Sequence, residues 1–199
     1  MLINKLVEEI NSNIYNESLR PFPAFALRDD WVGCVWPDYY KTNPSLLDES
    51  GMYLFNPMVF ERFRSAVVEY ENNENCFISD VSYYVDDDGN YLRRINQKLH
   101  LCWDDVNNFT KFFDGFYPLS FYIFNENLNW IVFHDGFDGD FILIAGCVDF
   151  MDIFAERMGG YMSLIESVDV YTLDEIGDEC KVWLSNIRNR LIGRMNSNY

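Results

Sequence analysis

The sequence predicts an α+β fold: a single compact domain, residues 1–199, with helices packed on a mainly antiparallel sheet and a long C-terminal helix. Three observations predict it. Short apolar strand-like runs follow one another closely, "SFYIF", "NWIVFH" and "FILIAG", joined by the turn-forming stretches "NENL" and "DGFDGD". Apolar stripes at helical spacing recur elsewhere, over 59–70, 147–158 and 176–191. The chain has 199 residues, 49% hydrophobic and 18% aromatic, enough to bury one core without disulfides or metal.

The elements follow in order. Leu2, Ile3, Leu6, Val7, Ile10 and Ile14 share one helical face, so 2–15 reads as an amphipathic helix. The two prolines of "RPFPAF" end it, and "WVGCVW" (31–36) reads as a short strand stopped by Pro37. Asn56 and Pro57 suit an N-cap and a first helical residue. Val59, Phe60, Phe63, Val67 and Tyr70 then carry a helix to about residue 71.

"ENNEN" (71–75) reads as a polar connection, and residues 76–96 as a hairpin turning near Asp88-Gly89. Asp104 or Asp105 suits the cap of a helix carrying Val106, Phe109 and Phe113. After the meander of three strands, Cys147, Met151, Phe154, Ala155 and Met158 mark a helix over 148–158, which Gly159-Gly160 stops. Thr172 and Glu175 form a capping box for the last helix, 172–195. Its stripe is Ile176, Cys180, Trp183, Leu184, Ile187 and Leu191. Acids crowd its start and Arg188, Arg190 and Arg194 its end, as the helix dipole prefers.

A net charge of -17 argues against binding nucleic acid or an anionic membrane, since phosphates would be repelled. It favours a basic partner and steered association with it. The five cysteines show no C-x-x-C spacing. Glu8 and Glu9 fall where a secretory signal needs an apolar run, and no apolar stretch reaches the ~18 residues of a membrane span. The expectation is a reduced, cytoplasmic protein with no cofactor and no metal.

Chemistry-bearing residues are few. His134 beside Asp135 could make an oriented general base, although a strand-end histidine held by its surroundings explains it as well. No nucleophile motif accompanies it. Asp86, Asp87 and Asp88 form one acidic turn, and Asp135, Asp138 and Asp140 another. Neither has the ligand spacing of a calcium loop, and hairpin turns favour Asp and Gly for backbone reasons alone. Both sets remain candidates for binding a partner, because turns expose carboxylates without disturbing a core.

Three fragments carry a resemblance to a known family. "WPDYYKTNPSLLDESG" (36–51), "WIVFHDGFDGDFILI" (130–144) and "DFMDIFAERM" (149–158) resemble the aromatic segment, the strand–turn–strand and the closing amphipathic helix of the SUKH superfamily. The second turn is one residue longer than the family pattern, Trp36 stands for its usual leucine, and the 172–195 helix lies beyond its core. The resemblance implies a mixed α/β fold and a bacterial immunity protein that neutralises a cognate toxin. The expectation is therefore a non-catalytic inhibitor of a basic, nuclease-type protein toxin, acting through the two acidic turns. The alternatives are an acidic nucleic-acid mimic that blocks a DNA-binding enzyme, and a small hydrolase using His134 with Asp135.

Overall fold

A computed structural model describes residues 30–37, 56–80, 96–106, 120–135, 141–172 and 178–197. The strands are β1 (Trp31–Pro37), β2 (Asn75–Asp80), β3 (Asn96–His100), β4 (Ser120–Phe124), β5 (Trp130–Asp135) and β6 (Phe141–Cys147). The helices are α1 (Pro57–Glu71), α2 (Val148–Met158), α3 (Tyr161–Thr172) and α4 (Asp178–Ser197). The six strands form one sheet in the order β1-β6-β5-β4-β2-β3, and every neighbouring pair is antiparallel. The fold is α+β, as expected. No helix among the described residues is long and apolar enough to cross a membrane.

The meander β4-β5-β6 is the middle of the sheet, and β5 is paired along both edges and buried on both faces. Trp130 through His134 are all buried, which is why the run is apolar at every position rather than alternating. Register puts Trp130, Val132 and His134 on one face with Gly146, Ile144 and Ile142 of β6. On that face lie α1 and α2. Phe63 meets Trp130 edge-on at 5.2 Å, Phe150 stacks on Trp130 at 6.1 Å, and Phe154 meets Trp36 at 5.8 Å. On the other face, Trp183 of α4 packs against Phe141 at 5.3 Å.

Sequence chemistry sets the helix ends. The Asn56 side chain accepts from the Met58 N–H at 2.9 Å and Pro57 opens α1, while Asn72, at φ 53, closes it. α2 ends in a Schellman arrangement: Gly160 N–H donates to the Ala155 carbonyl at 2.7 Å and Gly159 N–H to that of Glu156 at 3.1 Å. Gly159 and Gly160 take φ 96 and 106, values open to glycine at little cost. The chain turns there into α3.

Several expectations need correction. Residues 161–172 form a helix between the two expected ones, and Thr172 belongs to it instead of capping the next. Trp103 to Val106 are already helical, with the Cys102 carbonyl accepting from Val106 N–H at 3.2 Å, so neither Asp104 nor Asp105 is the cap. Asp105 instead accepts the His100 N–H at 3.2 Å. β2 does pair antiparallel with a following strand, but that strand runs over 96–100, past the end of the expected hairpin. The 2–15 helix, the turn at Asp88-Gly89, Phe109, Phe113, Glu175 and Ile176 lie outside the described residues.

Carboxylate–arginine pairs fasten the helices to one another. Arg157 of α2 grips Glu69 of α1 at 2.6 Å, and Arg188 of α4 grips Asp169 of α3 at 2.6 Å. Asp152 of α2 takes both Arg194 of α4 and the Tyr161 hydroxyl of α3, the latter at 2.6 Å. Arg190 donates to the Trp31 carbonyl of β1 at 3.1 Å. The arginines near the end of α4 therefore serve tertiary contacts as well as the helix dipole.

Candidate functional site

The two ends of the sheet differ in chemistry. At one end, β2 finishes at Asp80 and β5 at Asp135, and β4 begins between them: Asp80 is in register with Phe121, and Ser120 with Asp135. The chain leaves β2 toward Asp86, Asp87 and Asp88, and leaves β5 toward Asp138 and Asp140. These five aspartates lie outside the described residues, and only the backbone of Asp135 is described, as the last residue of β5. The strand ends that lead into the two acidic turns are thus one strand apart.

His134, next to Asp135, is 3% exposed and stacks on Phe121 at 5.0 Å, with Ile142 opposite it in β6. An imidazole so enclosed contributes its ring to the packing of the sheet face. Among the described residues, no three His, Cys, Asp or Glu side chains converge as metal ligands would. The thiols of Cys34 and Cys76 are pushed up by burial, so both pack as small apolar groups rather than act as nucleophiles.

The opposite end of the sheet holds a ring of hydrogen bonds that joins three separate segments. Glu71 ends α1, and its Oε1 accepts from the Trp130 indole N–H at 2.7 Å and from the Asn125 amide. Asn125, 2% exposed, accepts the Asn129 N–H on Oδ1 at 2.8 Å and the Leu128 N–H on its carbonyl at 3.2 Å. The Asn129 carbonyl takes the Cys147 N–H at 2.8 Å, and the Cys147 sulfur meets the Tyr70 hydroxyl at 3.3 Å. Tyr70 precedes Glu71 in the chain, which closes the ring.

Burial and hydrogen bonding together set the electrostatics at the ring. Glu71 is half-buried, and desolvation raises its carboxyl above the ordinary range, while the bonds from Trp130 and Asn125 pull it back in part. The hydrogen bond with Cys147, then burial, push the Tyr70 phenol up to about 12. Beside the ring, Glu74 bridges Arg64 and His100, each at 2.6 Å. Glu126 and Asn127 are exposed at the tip of the β4–β5 turn.

In the sequence, 71–75 and 125–128 read as separate polar connections, with Asn129 opening the strand "NWIVFH". One local signal was present: Glu69 and Glu71 occupy the last turn of α1, where the helix dipole disfavours acids and where no base offsets them. An acid in that position points to a dedicated partner. Comparison of the chain with family models, with curated proteins and with solved structures finds no match.

Proposed function

We propose that this chain is an immunity protein, similar to the SUKH superfamily, that binds and neutralises a basic, nuclease-type protein toxin. The acidic turns Asp86–Asp88 and Asp135, Asp138 and Asp140 form its binding face. One observation supports this most: the strands that lead into the two turns both pair with β4 and end on either side of it, at Asp80 and Asp135. Two turns leaving strand ends one strand apart can act on one partner, and on a chain of net charge -17 they can concentrate negative potential there. A toxin whose own groove binds phosphates presents the complementary sign.

Two of the three fragments that resemble the family fall on described elements. "WIVFHDGFDGDFILI" takes in β5 and the first four residues of β6, and "DFMDIFAERM" lies within α2, which follows β6; all but the first two residues of "WPDYYKTNPSLLDESG" lie outside the described residues. The inhibitory role needs no catalytic group, and the burial of His134 is consistent with that.

Co-expression tests the proposal. Cells producing the toxin domain encoded beside this chain's gene should grow when the wild-type chain is present. They should lose that protection when the six aspartates are replaced by Asn, with the variant still folded and at equal abundance. Protection by the six-Asn variant equal to wild type would remove the two turns from the binding face. No protection by the wild-type chain would remove the function.

A further inference from the structure

We draw no further inference here: the strongest candidate, the exposed apolar surface that Met162 and Val170 give α3 and Val182 gives α4, has nothing in the structure to show what covers it.

Discussion

Gly146 determines how closely α2 can lie on the sheet. A Cβ built there would stand 2.7 Å from the Asn129 carbonyl oxygen and 2.7 Å from a ring carbon of Phe150, distances that real Cβ atoms do not adopt. Gly146→Ala must push Phe150 or the β4–β5 turn outward, and overpacking of this kind costs about 1–3 kcal/mol. Urea unfolding should show the loss as a lower midpoint at unchanged slope. Trp130→Phe takes the indole N–H from Glu71 and leaves a smaller ring between Phe63 and Phe150. A hydrogen bond to a charged group contributes about 1.5–3 kcal/mol, so a comparable loss is expected by the same measurement. These residue-level roles were barely legible in the sequence. Asn125 and Trp130 lie 54 and 59 positions from Glu71, and nothing local ties them together. Only the acid at a helix end hinted that a partner was needed.

Elements with one clean period were legible, and elements whose apolar residues face two ways were not. α1 and α2 each bury a single stripe, and their ends carry strong chemistry in Asn56-Pro57 and Gly159-Gly160, so their bounds could be read closely. α3 buries Tyr161, Leu164, Ile165 and Val168 at helical spacing, yet it also exposes Met162 and Val170, which blurs the stripe. β3 is an edge strand with Leu99 as its buried residue between exposed Lys98 and His100, too short an alternation to stand out. What binds the helices to one another is chemistry between elements, and it yields a graded prediction. Asp152→Ala strips the partner from both Arg194 and the largely buried Tyr161 hydroxyl, which should cost about 1–3 kcal/mol in thermal or urea unfolding. Asp169→Ala breaks a pair whose side chains are 40% and 43% exposed, and should leave the unfolding midpoint close to wild type. α4 itself buries Leu184, Ile187 and Leu191 completely or nearly so. Each contributes about 1.5–3 kcal/mol, so a chain ending at Tyr171 should be insoluble or unfolded by circular dichroism. A truncated chain that melts like the full one would mean that α4 serves a partner instead.

At the scale of the molecule, an aromatic core supports a strongly acidic chain. The described tryptophans belong to that core or lean on it, Trp31 and Trp130 within it and Trp36, Trp103 and Trp183 packed against it. The proposed recognition therefore draws on the carboxylates of the two turns. If they steer a basic toxin, their effect belongs to the approach of the two proteins and not to the stability of either. Replacing Asp86, Asp87 and Asp88, or Asp135, Asp138 and Asp140, with Asn should slow association and leave the melting temperature within about a degree or two of wild type, because exposed substitutions change stability by only ~0.5 kcal/mol. The most direct test of a charge-steered inhibitor is its association rate constant with the toxin as salt increases. Screening shortens from ~10 Å at 0.1 M to ~3 Å at 1 M, so association should slow by about tenfold or more while dissociation changes less. A rate constant that stays flat across that range would contradict the account.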